Sequence, residues 1–120
     1  MPGHHRIERL NELFRRELSR LLLTEIKDPR VLGVTVSQVR VTNDLSYADV
    51  FVRVDPVDNA RTALDGLEKA SGFIRRELGR ELTLRKIPEF RFELDDTLEH
   101  ASRIEELLRQ VREGERERED

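Results

Sequence analysis

The stretch VTVSQVRVTNDLSYADVFVRV, residues 34–54, decides the fold of this chain. Residues 34–41 are rich in β-branched types, which favour a strand. Thr42-Asn43-Asp44 is typical of a turn, and residues 47–54 then alternate between apolar and polar side chains. Because a link this short joins antiparallel neighbours, the stretch predicts a β-hairpin.

The two predicted strands space their apolar residues differently. Along the second strand, one side carries only small and branched apolar residues, namely Ala48, Val50, Val52 and Val54. Along the first strand, the alternation changes phase between Val36 and Val39, which indicates a bulge or burial on both faces near Ser37. This double-sided pattern favours a central position in the sheet for the first strand.

The opposite side of the second strand carries two aromatic residues, Tyr47 and Phe51, with Asp49 and Arg53. Aromatic side chains on an open sheet can stack on nucleic-acid bases. A face covered by helices explains Tyr47 and Phe51 at least as well, because no regular array of aromatics is present. We therefore expect both rings in the core.

Helical periodicity lies on both sides of the hairpin. Upstream, apolar residues recur at spacings of three and four from Ile7 to Ile26, and Asp28-Pro29 ends that helix. Downstream, Asp58 and Asn59 offer a cap for a second helical stretch that runs from Ala60 to Leu78. The glycines inside that stretch leave open a single bent helix or two helices; they are Gly66, Gly72 and Gly79.

The last part of the chain predicts one more strand and one more helix. Phe90, Phe92 and Leu94 alternate as a strand, and the long helical crossover before them makes it parallel to one of the first two. A helix over residues 98–111 follows, with Asp96 or Thr97 as its cap.

These elements predict the fold class α+β, as one domain with a three-stranded mixed sheet and helices on one face. The order is α-β-β-α-kink-α-β-α. We place the domain at residues 6–111, a flexible N-terminus at residues 1–5, and a charged, solvated tail at residues 112–120.

The composition narrows the class of protein. The chain has 120 residues, enough for one domain, and no cysteine, which excludes disulfides, thiolate zinc sites and cysteine nucleophiles. No apolar stretch approaches the roughly 18 residues of a membrane span, and the first ten residues lack a signal peptide's apolar centre. We therefore expect a soluble, cytoplasmic protein.

The charge is distributed unevenly along the chain. The formal net charge of −3 by itself disfavours a nucleic-acid partner. However, residues 1–30 carry +2, residues 31–58 carry −2, residues 59–88 carry +3 and residues 89–120 carry −6. The acidity therefore belongs mostly to the last quarter, and a basic segment precedes it.

A cluster of basic residues follows Gly72, made up of Arg75, Arg76, Arg80, Arg85 and Lys86. A glycine within a helical pattern lets a phosphate approach the backbone, and Arg76 and Arg80 share a helix face. The cluster suits a phosphate backbone, but a solvated helix face explains it about equally well. For Lys27 and Arg30, near a helix C-terminus, complementing the helix dipole is a sufficient role, and nucleic-acid contact is the alternative.

Residue types that carry catalysis or hold metals form no recognisable motif. Paired carboxylates occur at Asp95-Asp96 and Glu105-Glu106, where capping and an exposed helix flank explain them. The three histidines have no further ligand at a suitable spacing, and no serine lies in a nucleophile motif; the histidines are His4, His5 and His100. We therefore predict no enzyme, no metal and no cofactor.

Four stretches, in this order along the chain, resemble the bacterial ribosome-binding factor A family. They are EIKDPR at residues 25–30, VTNDLSYADVFV at 41–52, KASGFIRRELG at 69–79 and IPEFRFELDDTLEHASRIEELL at 87–108. With the opening helix, the resemblance covers about residues 6–111. No single stretch is decisive, but four in order are highly specific.

The resemblance implies a KH-like fold of the second type, whose usual GxxG loop is replaced by an Ala-x-Gly kink, matched by Ala70-Ser71-Gly72. It implies a non-catalytic, cytoplasmic assembly factor that binds the small (30S) ribosomal subunit and its 16S rRNA, assists late rRNA processing and contributes to cold adaptation. We expect a monomer. The alternative is a protein–protein adaptor that uses the amphipathic helices 7–26 and 98–111 without direct RNA contact.

With this resemblance the basic cluster becomes the predicted RNA-binding surface. Its residues are Ser71, Gly72, Arg75, Arg76, Arg80, Arg85 and Lys86, with Lys27 and Arg30 as candidates of second rank. The arginines and lysines would neutralise phosphates, and Ser71 and Gly72 would allow a close approach.

Overall fold

The order of elements follows the predicted one. The structure is a computed structural model that describes residues 2–95 and 108–113. Its helices and strands are α1 (Pro2–Thr24), β1 (Val34–Val41), β2 (Tyr47–Val54), α2 (Ala60–Glu81) and β3 (Glu89–Leu94), with short 3₁₀ turns at Pro29–Val31 and Val57–Asn59. The fold is thus α+β with a three-stranded mixed sheet.

The sheet has the order β1-β2-β3, so β2 is the central strand. It pairs antiparallel with β1 and parallel with β3, as the long crossover through α2 requires. The prediction that β1 is central is therefore wrong. Its phase change reflects a register shift between Val36 and Gln38, which turns both Val36 and Val39 toward the core.

The core lies between the valine face of β2 and the apolar faces of α1 and α2. The side chains of Ala48, Val50, Val52 and Val54 on β2 are at most 2% exposed. The helices contribute the large buried residues, which are Phe14, Leu18, Leu21, Leu67, Ile74 and Leu78. Each such side chain, once buried, contributes roughly 1.5–3 kcal/mol, so this layer carries most of the stability.

The aromatic side of β2 is not part of that core. Tyr47 is 40% exposed and Phe51 is half-buried, and neither belongs to the cluster of buried apolar residues. The prediction that helices cover both rings is wrong, because α1 and α2 pack on the valine face. Instead, arginines lie over the rings: Arg91 over Tyr47 and Arg40 over Phe51.

α2 is one helix over its whole length, Ala60–Glu81, which decides between the two alternatives that its glycines left open. The 3₁₀ turn Val57–Asn59 leads directly into it. Asn59 occupies the N-cap position without a side-chain hydrogen bond, so the predicted capping by a side chain at Asn59 does not occur. The predicted kink, residues 70–72, lies inside this helix.

Helical structure extends beyond residues 6–111, the predicted domain, at both ends. α1 begins at Pro2, so residues 2–5, predicted as part of a flexible N-terminus, are helical. Residues 108–113 are also helical; residues 108–111 belong to the predicted last helix, and residues 112 and 113 were predicted in the tail. The predictions for Asp96, Thr97, His100, Glu105 and Glu106 lie outside the described residues. Across residues 2–95 and 108–113, no helix is long and apolar enough to cross a membrane.

Gly33, just before β1, provides a test of the fold. Its φ is +81°, and a Cβ atom there would lie 2.3 Å from the carbonyl oxygen of Asp55. We expect Gly33→Ala to lower the free energy of unfolding by at least about 2 kcal/mol, from left-handed strain plus the clash. The measurement is the urea midpoint.

Gly79→Ala is the matched control, because its Cβ would meet only Ile87 at an ordinary 3.8 Å. This variant should be up to about 1 kcal/mol more stable than the parent, since alanine favours the helix. Equal midpoints for Gly33→Ala and the parent protein would contradict the described backbone at residue 33.

Candidate nucleic-acid interface

A row of exposed residues runs along the outer face of α2. Lys69, Gly72, Arg76 and Arg80 follow one another at spacings of three and four, so they share one side of the helix, and all four are exposed. We call this row the α2 stripe. Lys69 is the member that the sequence analysis missed, although its spacing from Gly72 and Arg76 was visible in the sequence.

Three further predicted residues lie beside the C-terminal half of α2. Arg75 donates a hydrogen bond from Nη2 to the carbonyl oxygen of Ile87 at 3.2 Å, which joins α2 to the segment that leads into β3. Lys86 in that segment donates from Nζ to Ser46 Oγ at 3.3 Å, at the turn of the hairpin. Arg85 is exposed. The basic surface therefore extends from α2 to the β1–β2 turn.

Packing within residues 2–95 and 108–113 does not account for Gly72. A Cβ atom at residue 72 would meet none of these residues within 4 Å, whereas one at Gly66 would lie 3.0 Å from Arg30 Cβ and 3.1 Å from Val31 Cγ1. Glycine inside a helix costs about 1 kcal/mol relative to alanine. Gly66 is thus required by packing, and Gly72 leaves an open, accessible stretch of helix backbone.

Ser71, beside Gly72, is half-buried, and its hydroxyl already has a partner. Ser71 Oγ donates to the carbonyl oxygen of Glu68 at 2.8 Å, one turn earlier in α2. Such a bond back to the preceding turn satisfies the hydroxyl within the helix. Ser71 therefore offers a ligand no unused hydroxyl proton, and its predicted role in a close approach of RNA stays a prediction.

Of the second-rank pair, Lys27 and Arg30, the structure places Arg30 against the N-terminal half of α2 rather than at its basic end. Arg30 packs on Gly66 and forms a fork with Asp28, with distances of 3.1 Å from Nε to Oδ1 and 2.6 Å from Nη2 to Oδ2. Its charge is thus committed to a neighbouring carboxylate. Lys27 is exposed in the loop after α1.

Carboxylates modify the charge of the stripe unequally. Arg80 pairs with Glu77 at 3.1 Å, but its side chain remains 78% exposed. Glu81, one turn on, pairs with Arg20 and ties α1 to the end of α2. Within residues 2–95 and 108–113, Arg76 has no carboxylate within 4.0 Å. The side chains most available to a polyanion are therefore Arg76, Lys69 and Arg85.

The same residues offer nothing for a metal. Among those that the structure describes, no three histidine or acidic side chains come together in a way that could hold an ion. Asp95 is buried and pairs with Arg53, 3.1 Å from Oδ2 to Nε, so it supports the end of the sheet.

A family model corresponds to nearly the whole of this domain. The model described as ribosome-binding factor A matches residues 6–108. The chain belongs to the ribosome-binding factor A family. The match includes the hairpin, α2 with its stripe, and β3.

Curated relatives agree with this assignment. The chain is 45% identical over 111 residues to ribosome-binding factor A from Halothermothrix orenii, covering 92% of this chain and 91% of that protein. It is 42% identical over 110 residues to ribosome-binding factor A from Lacticaseibacillus casei, covering 90% and 94% respectively.

Solved structures of the family share the fold. The crystal structure of Thermus thermophilus ribosome-binding factor A superposes with a TM-score of 0.65 at 26% identity, over 73% of this chain and 94% of that one. A homology model of the T. thermophilus factor, fitted into a cryo-EM map of a 30S–ribosome-binding factor A complex, gives a TM-score of 0.50 at 29% identity, over 69% and 92%.

The Asp28–Arg30 fork makes the stability of this domain depend on pH. Its hydrogen bonds, first from the Arg30 side chain and then from its backbone N–H, lower the pKa of Asp28 from 3.8 to about 2. A lowered pKa stabilises the folded state above pH 3.8, and that contribution disappears as the pH falls toward 2.

We therefore expect Asp28→Asn, which keeps an acceptor for the Arg30 backbone N–H, to be less stable than the parent protein at pH 6. The difference in thermal midpoint should shrink as the pH falls from about 4 toward 2, because the parent then loses the same charge. A difference that stays constant over this range would show that the charge of Asp28 contributes nothing.

Proposed function

We propose that this protein is a non-catalytic assembly factor that binds the small ribosomal subunit through the phosphates of its 16S rRNA and assists late rRNA processing and maturation. The observation that carries the proposal is the α2 stripe, in which exposed basic residues surround a glycine whose Cβ would contact none of the described residues. The related factor from T. thermophilus, fitted into the map of a 30S complex, supports the same partner.

The chemistry of the stripe suits a phosphate backbone. Lysine and arginine neutralise phosphates without regard to sequence, and the bare backbone at Gly72 lets a sugar–phosphate chain approach the helix more closely than a side chain would permit. A KH domain clamps four nucleotides with a GxxG loop. This KH-like domain has a continuous helix there, so we infer recognition by phosphates and shape.

The overall charge limits where RNA can bind. The net charge is −3, whereas residues 59–88 carry +3 and residues 89–120 carry −6. Repulsion from the acidic part disfavours indiscriminate association with RNA, and the basic side of α2 is left as the surface that attracts it. Such a factor would act in the cytoplasm as a monomer, and its loss would impair growth most at low temperature.

The burial of α1 argues against the alternative of a protein adaptor. Its apolar face supplies Phe14, Leu18 and Leu21, each at most 1% exposed, to the core of this domain. A partner protein cannot dock on a face that the domain itself has buried. The amphipathic pattern of α1 is therefore explained by the fold.

Reversing two charges of the stripe tests the proposal. We expect Arg76→Glu combined with Arg80→Glu to weaken binding to purified 30S subunits by roughly tenfold or more at low salt. The slope of log affinity against log salt should become shallower by about 1.5, because a variant that lacks two phosphate contacts releases fewer counterions on binding. Sedimentation of the complex through sucrose gradients at several salt concentrations measures both quantities.

Arg9→Glu combined with Arg16→Glu is the matched control. Both residues are exposed on α1, and this variant changes the net charge by the same amount as the stripe variant. It should lose little affinity and keep the salt slope. If the two double variants behave alike, general repulsion explains the effect and the stripe is not a specific binding surface.

Gly72→Ala separates binding from folding. Because a Cβ atom at residue 72 would meet open space, we expect this variant to unfold at higher urea than the parent, by up to about 1 kcal/mol. It should nevertheless bind 30S subunits more weakly, since the methyl group keeps the RNA backbone away from α2. Gly79→Ala should gain similar stability and keep full affinity. If Gly72→Ala binds 30S subunits like the parent protein, the RNA backbone does not approach α2 closely at residue 72.

A further inference from the structure

The open face of the sheet holds a stack of two planar groups, Tyr47 and Arg91. The guanidinium carbon of Arg91 lies 4.4 Å from the centroid of the Tyr47 ring, a cation–π distance. Tyr47 is 40% exposed, and the Arg91 side chain is 50% exposed. The stack is therefore accessible from solvent on the side that α1 and α2 leave uncovered.

Asp49 fixes the orientation of this stack and neutralises it. Arg91 donates from Nε to Asp49 Oδ1 at 2.8 Å and from Nη2 to Oδ2 at 3.3 Å, a two-bond fork across the β2–β3 pairing. The fork holds the guanidinium in one plane and pairs its charge with a carboxylate. The result is a preoriented planar surface with little net charge.

Such a surface suits a nucleobase rather than a phosphate. Bases stack on tyrosine rings and on arginine guanidinium planes, and this stacking tolerates any base. The carboxylates of β3 stand beside it, because Glu89 pairs in register with Tyr47 and Glu93 with Phe51. They repel a phosphate backbone but not the face of a neutral base.

The stack lies where the basic surface ends. Ser46, which precedes Tyr47, accepts the hydrogen bond from Lys86 Nζ at 3.3 Å and, through its carbonyl oxygen, another from the backbone N–H of Glu89 at 2.9 Å. An RNA strand held through phosphates by Arg75, Arg85 and Lys86 therefore reaches the start of β2 without leaving the protein.

We propose that Tyr47 and Arg91 form a stacking site for an unpaired base of the RNA whose phosphates the α2 stripe binds. This inference rests on the proposed function and narrows it to single-stranded RNA. In a duplex the bases are stacked on one another and cannot be placed on a protein ring.

The same face contains a natural control. Arg40 lies over Phe51 at 5.5 Å, a second and looser stack. Phe51 follows Tyr47 by four residues along β2, which places it about 13 Å further from the Lys86 end. The continuity with the basic surface that supports the Tyr47 site is therefore absent at Phe51.

The composition gives the test a direct readout, because the chain has one tyrosine and no tryptophan. Stacking of a base on Tyr47 should quench the intrinsic fluorescence of the protein as a single-stranded oligoadenylate is titrated. A duplex of the same length should quench much less. Binding to the oligonucleotide and to 30S subunits is measured in parallel at several salt concentrations.

Variants separate stacking from charge. Tyr47→Phe should bind the single strand like the parent, whereas Tyr47→Leu should bind about tenfold more weakly with an unchanged salt slope. Arg91→Lys keeps the charge but loses the planar fork, so it should also weaken binding. Arg40→Lys at the second stack should have no effect. Urea midpoints confirm that each variant is folded.

The outcomes distinguish this inference from the proposed function. If the double variant Arg76→Glu with Arg80→Glu binds 30S subunits like the parent protein, the α2 stripe is not a binding surface and the proposed function is contradicted. If the stripe variant weakens binding but Tyr47→Leu equals Tyr47→Phe, or the tyrosine is not quenched, the stacking site is overturned. The stacking site is also overturned if the parent protein does not bind the single strand. It is overturned as well if Tyr47→Leu weakens binding to 30S subunits but not to the single strand, because that result would indicate a contact with a ribosomal protein.

Discussion

The burial of one face of β2 is the constraint on which the rest of the structure depends. This strand is hydrogen-bonded on both sides, and the side chains of its valine face are at most 2% exposed. Its neighbours run in opposite directions, because β1 is antiparallel and β3 is parallel. A parallel neighbour needs a crossover, and α2 provides it by packing Leu67, Ile74 and Leu78 against the valines. The position of α2 is thus fixed by the sheet, and its outer face is left for another role.

The proposed role of that outer face would explain why α2 contains Gly72, whose Cβ would contact none of the residues that the structure describes. Proteins commonly carry residues at functional sites that cost stability, and they compensate with stability elsewhere in the fold. Here the fully buried Leu67, Ile74 and Leu78 of the same helix would supply that compensation. Among the residues that the structure describes, Gly66 has neighbouring atoms that exclude a Cβ and Gly72 has none, so packing accounts for the first glycine but not for the second.

Local patterns in the sequence predicted most of the fold, and the errors arose where a pattern had two physical causes. The hairpin, the parallel third strand and the register shift near Ser37 follow from alternation and loop length. The central position of β1 was wrong because a bulge and double-sided burial produce the same phase change. The core position of Tyr47 was wrong because alternation defines two faces of a strand but does not say which face the helices cover.

The candidate site was less predictable than the fold, because charge depends on neighbours that spacing within one helix does not reveal. The sequence offered helix-dipole complementation or a second-rank RNA contact for Arg30, whereas in the structure Asp28, two residues earlier, holds its guanidinium in a fork. Lys69 was passed over although it completes the stripe.

In the proposed mode of binding, the α2 stripe and the open face of the sheet would recognise RNA in complementary ways. On the outer side of α2, exposed cations such as Arg76 would attract phosphates over a distance of about 10 Å that salt can screen. On the sheet, the fork between Arg91 and Asp49 removes most of the charge and leaves a plane that interacts only on contact. A long-range, unselective attraction combined with a short-range requirement for an exposed base favours RNA regions that are still unpaired. A folded rRNA duplex satisfies the first condition and not the second, so affinity for the subunit should decline as its RNA becomes structured.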